Sequence, residues 1–161
     1  MLLRPLREAD VPALVELLAH PEVAQWWGAY DAERVRRDLL DDPGSESFAI
    51  EVHGEVIGVV QIHEENEPDW RHAALDISIR ADQHGRGFGR ESLRVAIEHL
   101  IAERGHHRFT IDPSATNERA IRCYTAVGFR PVGVMRQYER DEDGSWRDGL
   151  LMDLLADELR R

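Results

Sequence analysis

The segment DQHGRGFGRE, residues 82–91, places three glycines directly before a stretch with the apolar spacing of a helix. Glycine permits a tight turn and lets a ligand approach the main chain closely. The first turn of a helix adds free N–H groups and a partial positive charge, so this junction is either a simple turn or a cradle for phosphate. Arg86 and Arg90 favour the cradle. The segment lacks the Gly-Lys-Ser/Thr ending of a Walker loop, and its surroundings do not match a Rossmann fingerprint.

Apolar segments of strand length lie on both sides of this loop. His53 and Gly54 separate two of them, as expected for a hairpin. The segments are, in chain order, a short one at the N-terminus, then SFAIEV, VIGVVQIH, AALDISIR and HRFTID, and finally two strands around Asp143-Gly144. Hairpins come early and a β-α-β-α-β run comes later, which predicts a mixed α/β fold. With no linker in view, we expect one domain over residues 1–161.

Four stretches have the apolar spacing of helices. The first is capped near Asp10 and ends at His20-Pro21. The second is YDAERVRRDLL, with Asp31 as its cap. The third follows the glycines, and the fourth begins near Asn117 and stops at Gly128. The buried positions predicted for the first and third helices are Val11, Leu14, Leu17, Leu18, Leu93, Ala96, Ile97, Leu100 and Ile101.

Composition narrows the possible partners. The net charge of −11 disfavours nucleic acid and anionic membranes and favours a cationic partner, although solubility alone also explains an acidic balance. No run of 18 apolar residues and no signal-peptide pattern occurs, so we expect a cytoplasmic protein. Cys123 is the only cysteine, and the eight histidines form no motif such as H-E-x-x-H, so no metal is expected. His106 and His107 are expected at the surface.

Acidic residues suggest where a cationic ligand would bind. Asp76 interrupts the apolar strand AALDISI, where a carboxylate is costly unless it is paired or used. Asp112 follows the strand RFTI, so the two carboxylates meet if these strands are neighbours. Further acids precede the fourth strand and form either a solvated loop or part of a binding site; they are Glu64, Glu65, Glu67 and Asp69.

Several other side chains have either a structural or a functional role. Asn117 is either a helix cap or a ligand contact, and Tyr124 is either a core aromatic or a catalytic phenol. Cys123 has no catalytic partner and is interpreted as a packing thiol. Trp26 and Trp27 are adjacent, so we expect one in the core and the other in the wall of a ligand pocket.

The order of these elements, with the motif N-x-x-A-I-x-x-Y-x-x-x-G-F beginning at Asn117, resembles the GCN5-related N-acetyltransferase (GNAT) superfamily over essentially the whole chain. Within it, DPSATNERAIRCY and AQWWG most resemble the aminoglycoside 6′-N-acetyltransferases. The resemblance implies a central twisted mixed sheet of six to seven strands flanked by helices. It also implies an acetyl-CoA cleft where the fourth and fifth strands separate.

The resemblance also assigns cofactor residues. The pyrophosphate would lie on backbone N–H groups of residues 84–89, and the pantetheine arm along residues 77–79. His84 stands where the family usually has Arg or Gln, which leaves a side-chain contact to phosphate open. The cofactor residues implied are Ile77, Ser78, Ile79, His84, Gly85, Arg86, Gly87, Phe88, Gly89, Arg90 and Asn117.

The same resemblance implies catalytic and acceptor residues. Asp76 would act as general base, directly or through water, and Tyr124 would protonate the departing thiolate. Asp76 and Asp112 would contact the acceptor, an aminoglycoside 6′-amine. Trp26, Trp27 and Glu64 are further candidate acceptor contacts, from their own positions in the sequence. Another amine, such as a polyamine, a peptide or protein amine or a metabolite, remains an alternative. A non-catalytic acyl-CoA-binding module is a third reading, which the presence of both Asp76 and Tyr124 opposes. The oligomeric state, monomer or homodimer, stays open.

Overall fold

The computed structural model describes residues 1–160, and within them the strands form one seven-stranded sheet in the order β1-β2-β3-β4-β5-β7-β6. Only β4 and β5 run parallel; all other neighbours are antiparallel. The strands are β1 (Leu2–Pro5), β2 (Glu46–Val52), β3 (Glu55–Glu65), β4 (His72–Ile79), β5 (Arg108–Ile111), β6 (Arg130–Arg140) and β7 (Trp146–Leu155). The predicted mixed α/β sheet is confirmed.

Five α-helices accompany the sheet in the described part of the chain, one more than predicted. They are α1 (Val11–Ala19), α2 (Pro21–Trp27), α3 (Ala32–Val35), α4 (Phe88–Arg104) and α5 (Glu118–Val127). A π-helical turn over Arg36–Leu40 extends α3. The prediction that His20-Pro21 only ends a helix is incomplete, because Pro21 occupies the first turn of α2 and His20 Nδ1 accepts a bond from Glu22 N at 3.3 Å.

The helices bury apolar faces on both sides of the sheet. Val59 packs with α1 in one apolar cluster, and its neighbour Val60 belongs to the cluster that α4 forms. Successive residues of a strand face opposite sides, so these helices cover opposite faces of the sheet. The buried positions predicted for α1 and α4 are confirmed, except that Ile101 is only half-buried. None of the helices within residues 1–160 is both long and apolar enough to cross a membrane.

The two central strands β4 and β5 separate after a short contact. Only Ala73 with Phe109 and Ala74 with Thr110 are paired between them. β4 then continues to Ile79 with its backbone unpaired on the β5 side. The expected cleft between the fourth and fifth strands is therefore present, and both helices α4 and α5 begin beside it.

Candidate active site

A cleft of about 850 Å³ opens where β4 and β5 diverge. Its walls come from the second half of β4, the glycine loop, the first turns of α4 and α5, the α2 helix and the middle of β6. The side chain of Ser78 is buried in this wall, and its hydroxyl has no hydrogen-bond partner within residues 1–160. The predicted cofactor residues that line the cleft are Ile77, Ser78, Ile79, His84, Gly85, Gly87, Phe88, Gly89, Arg90 and Asn117.

The glycine loop presents an open main chain at one end of this cleft. Gly85 and Gly87 have φ values of 74° and 86°, in the left-handed region that glycine favours. A Cβ atom added to Gly87 would have no atom within 4 Å, so its cleft side is free. Gly87 is the N-cap of α4 and supplies no side chain, which leaves N–H groups of the first turn available to an anion.

Basic side chains surround this end of the cleft. Arg90, Arg119 and Arg122 line it, and Arg90 forms no ion pair in the described chain. Arg86 does not line the cleft, because its guanidinium lies over the Phe88 ring and donates to Gln83 Oε1 at 2.7 Å. Arg86 and Arg90 were predicted from the glycine loop; Arg119 and Arg122 were not, because only the position of α5 brings them here.

His84 fixes the loop to the end of β4. Its Nε2 lies 2.7 Å from the Ile79 carbonyl oxygen, so this nitrogen carries the proton and donates. Burial lowers the pKa of His84, and Nδ1 is buried without a hydrogen-bond partner, 3.7 Å from a Glu22 carboxylate oxygen. In this form the ring offers phosphate no donor, and its observed contact anchors the loop.

The α5 helix brings three predicted residues to the cleft. Asn117 Oδ1 accepts from Ala120 N at 3.2 Å, so this residue caps the helix and also lines the cleft. Tyr124 is 7% exposed and packs edge-on against Phe129, with 6.3 Å between ring centroids. Burial raises the pKa of the Tyr124 phenol, which keeps it protonated. Burial likewise raises the pKa of the half-buried Cys123 thiol, which fits a packing role.

Both predicted carboxylates lie in this cleft. Asp112 accepts a 2.5 Å hydrogen bond from the Tyr138 hydroxyl. Burial raises the pKa of Asp112, and the negative charge of Asp76 acts in the same direction. The same hydrogen bond raises the pKa of Tyr138 to about 12. Tyr138 was not predicted, since it reaches the cleft from β6.

Asp76 has a neighbour that the sequence analysis also missed. His63 on β3 places Nε2 3.6 Å from Asp76 Oδ2. The interaction with Asp76 raises the pKa of His63 despite partial burial of the ring. A long loop separates β3 from β4, so the register between these strands cannot be predicted from the sequence. Only the structure therefore shows that His63 and Asp76 are neighbours.

The tryptophans and the β6–β7 hairpin line the end of the cleft where the carboxylates lie. Trp26 and Trp27 both line the cleft, and Trp27 also packs against the α1 apolar cluster, its ring 6.2 Å from that of Tyr30. Arg147 on β7 donates to the carbonyl of Trp26 at 3.0 Å and forms an ion pair with Glu139 at 2.9 Å. Glu139 lines the cleft as well, so this end is acidic and aromatic.

Two sequence interpretations need correction. Glu64 does not line the cleft: its carboxylate lies 2.6 Å from Arg104 Nη1 and 2.5 Å from His106 Nε2. An acceptor contact for Glu64 is therefore contradicted, and its contacts are those of a structural ion pair. His106 is 1% exposed rather than at the surface. No group of three or more metal-binding side chains was found within residues 1–160.

Fold and site together are those of an acyltransferase, with a glycine loop and basic side chains at one end of the cleft and carboxylates at the other. The chain belongs to the GNAT acetyltransferase family, because the model of the acetyltransferase (GNAT) domain matches residues 1–130. The resemblance inferred from the glycine loop and the Asn-to-Phe motif is thereby confirmed.

Named relatives point to amine acetylation. An aminoglycoside N(6′)-acetyltransferase type 1 from Klebsiella pneumoniae is 29% identical over 153 residues, 83% of this chain and 75% of that protein. The structure of AAC(6′)-Ib with paromomycin and acetyl-CoA has a TM-score of 0.80 and 28% identity, covering 99% of this chain and 96% of that one. Spermidine N-acetyltransferase from Vibrio cholerae, with CoA and spermine, has a TM-score of 0.82 at 20% identity, covers 98% of this chain and 96% of that one, and shows the shared fold alone.

Proposed function

We propose that this chain transfers the acetyl group of acetyl-CoA to the 6′-amine of an aminoglycoside. The observation that carries the proposal is the meeting of Asp76, Asp112 and Tyr124 in one cleft whose other end is a glycine cradle. The relatives with a named acceptor at 28–29% identity act on or bind aminoglycosides. We take residues 1–161 as one catalytic domain.

The cofactor end fits acetyl-CoA. Backbone N–H groups of the first turn of α4 and the side chains of Arg90, Arg119 and Arg122 would hold the phosphates. The free edge of β4 over residues 77–79 would hydrogen-bond the pantetheine amides as an added strand. Bound there, acetyl-CoA supplies an activated acetyl group as a thioester.

The acceptor end fits a polycation. Asp76, Asp112 and Glu139 present carboxylates to the cleft, and Trp26 and Trp27 offer flat faces for sugar rings. An aminoglycoside carries several ammonium groups, so more than one carboxylate can pair with it. A monoamine would leave part of this negative charge unused.

Two side chains move protons in the proposed mechanism. An amine is mostly ammonium at neutral pH and cannot attack a thioester until it loses a proton. Asp76 holds the ammonium and accepts that proton, directly or through water. Tyr124, whose raised pKa keeps it protonated, then donates to the departing sulfur. An N–H group at the β4 edge stabilises the charge that develops on the acetyl oxygen.

The test is a thiol-release assay with acetyl-CoA and a panel of amines. We expect turnover with kanamycin-like acceptors and none when the 6′-amine is replaced by hydroxyl. Asp76→Asn should lower kcat/KM by about 10²–10⁴, with partial recovery at high pH where the amine is already neutral. Asp69→Asn, in the exposed acidic loop, is the matched control and should retain activity.

If the protein acetylates spermidine or a peptide amine but no aminoglycoside, the proposed acceptor is wrong. The assignment as an acetyltransferase would still stand. Equal rates for wild type and Asp76→Asn would remove the general-base role.

A further inference from the structure

His63 stands beside the proposed base on the neighbouring strand. The β3–β4 register pairs Gln61 with Asp76 and His63 with Ala74. Residues that are opposite in an antiparallel pair share a face, so His63 and Asp76 are diagonal neighbours on one side of the sheet. Nε2 and Oδ2 are 3.6 Å apart, a gap that a small side-chain rotation or a bridging water closes.

His63 also lines a second depression, of about 800 Å³. Gln61 lines both this depression and the acetyl-transfer cleft, so His63 lies at the wall between them. Besides Asp76, the charged residues around the ring come from α3, the π-helical turn and the following loop: Glu33, Arg36, Arg37, Asp38, Asp41 and Asp42.

A titratable group beside Asp76 can carry the amine proton onward. Each acetylation of an ammonium releases one proton, and a base that keeps this proton cannot serve the next acceptor. An imidazole gains and loses protons near neutral pH, where a carboxylate alone does not. Asp76 and Asp42 favour the protonated ring, and together with the backbone of Gly44 they raise the pKa of His63 against the effect of burial.

We propose that His63 takes the amine proton from Asp76 and releases it to solvent through the acidic depression. The proton passes from the ammonium nitrogen to Asp76 Oδ2 and then to His63 Nε2, and the imidazolium returns a proton to water. His63 acts through Asp76 and does not touch the acceptor, which makes it a positioning residue for proton removal. The proposal rests on the proposed function, with Asp76 as base.

The experiment compares the pH dependence of kcat in wild type, His63→Gln and His63→Ala, using an acceptor that the wild type acetylates. In the wild type, the rate should fall at low pH because a protonated ring cannot accept. His63→Gln should lower kcat roughly tenfold or more, lose that acid limb and keep the KM for acetyl-CoA. Added imidazole should restore rate to His63→Ala. The matched control, His99→Gln on the exposed face of α4, should behave as wild type.

The outcomes separate this inference from the proposed function. If the wild type acetylates an amine and Asp76→Asn does not, but His63→Gln keeps the wild-type pH profile, the relay is wrong and the function stands. A raised acceptor KM with an unchanged acid limb would also overturn the relay. If the wild type acetylates no amine, the proposed function fails and the relay with it.

A second measurement does not depend on the His63 variants folding. The imidazole of His63 can be titrated by NMR in the wild type and in Asp76→Asn. The pKa of His63 should fall in Asp76→Asn, since the contact with Asp76 is the largest influence that raises it. An unchanged pKa would show that the two side chains do not share a proton and would overturn the inference.

Discussion

Tyr124 is a buried phenol that lines the cleft. Because its pKa is raised by burial, the phenol stays protonated at neutral pH and has a proton to donate to the sulfur as the C–S bond breaks. We predict that Tyr124→Phe lowers kcat by about 10² while the KM values for both substrates stay near wild type. Steady-state kinetics with thiol detection measures this. A variant with unchanged turnover and a lowered melting temperature would identify Tyr124 as a core aromatic only.

Asp112 links acceptor binding to stability. Burial raises its pKa above the ordinary carboxyl value of about 3.9, so the folded state binds the proton more tightly than the unfolded state. Asp112 therefore makes the folded state less stable as the pH rises above that ordinary value. Asp112→Asn removes this charge, and its amide oxygen can still accept from Tyr138.

We therefore predict that Asp112→Asn melts at a higher temperature than wild type at pH 7, with the difference shrinking towards pH 4. The same variant should have a raised acceptor KM, because a binding carboxylate is lost. Thermal melts across this pH range and kinetics at pH 7 measure the two effects. A melting difference that is the same at both pH values would contradict the assigned cause.

At the residue scale, the cleft residues that could be predicted are those that look locally out of place in the sequence. A carboxylate inside an apolar strand marked Asp76, and the helix motif marked Tyr124. It missed His63 and Tyr138, because each meets its carboxylate from another strand. Asp10 shows the same limit: it precedes α1 as predicted, but its side chain does not cap the helix and instead accepts from the Arg4 guanidinium at 2.7 and 2.8 Å.

At the element scale, the glycine loop joins a left-handed turn to the first turn of α4. We predict that Gly87→Ala weakens CoA binding in calorimetry by at least tenfold, because a Cβ would occupy the space that phosphate enters. The matched control is Gly54→Ala in the β2–β3 turn. Both glycines have similar φ values, 86° and 83°, and neither Cβ would meet an atom within 4 Å.

This pair separates strain from ligand exclusion. Both variants should lose similar stability, since each forces a side chain into the left-handed region. Only Gly87→Ala should lose CoA affinity. Unchanged CoA affinity in a folded Gly87→Ala protein would remove the cradle.

The Arg147 guanidinium joins the β6–β7 hairpin to the end of α2, and Ala29 N just after α2 donates to the Glu142 carboxylate. Arg147 donates to the carbonyl oxygens of Gln25 and Trp26 at 2.7 and 3.0 Å. We predict that Arg147→Met raises the acceptor KM by roughly tenfold, since hydrogen bonds to charged groups are worth about 1.5–3 kcal/mol, and leaves CoA affinity unchanged. Arg108→Met, which breaks the Asp153 pair outside the cleft, is the control. Equal acceptor KM in both variants would show that this contact does not shape the acceptor site.

Most strands and helices could be predicted because their apolar spacing is bounded at each end by turn or capping residues. The His53-Gly54 turn is an example, since both residues have positive φ and join β2 to β3. The α2 helix was not predicted, because a proline is equally compatible with the end of one helix and with the first turn of the next. The α2–hairpin contact was beyond prediction, since it joins residues about 120 positions apart.

At the scale of the whole molecule, the net charge of −11 hides a division along the cleft. Arg90, Arg119 and Arg122 line the end proposed for the cofactor, and Asp76, Asp112 and Glu139 line the end proposed for the acceptor. Glu22 beside Arg119 and Arg34 beside Tyr30 are the exceptions in sign. A cleft concentrates the field of the charges that line it, so a polyanion and a polycation are each drawn to the proper end. The acidic composition alone predicted only the second of these ligands.

This division predicts how salt affects catalysis. The kcat/KM for acceptors should fall as ionic strength rises, and more steeply for acceptors with more ammonium groups, because the Debye length shortens from about 10 Å at 0.1 M to about 3 Å at 1 M. Asp112→Asn should flatten this slope, since it removes charge inside the cleft. Asp157→Asn removes the same charge from the exposed turn after β7 and should keep the wild-type slope. Equal flattening by both variants would mean that net charge, rather than the charges in the cleft, attracts the acceptor.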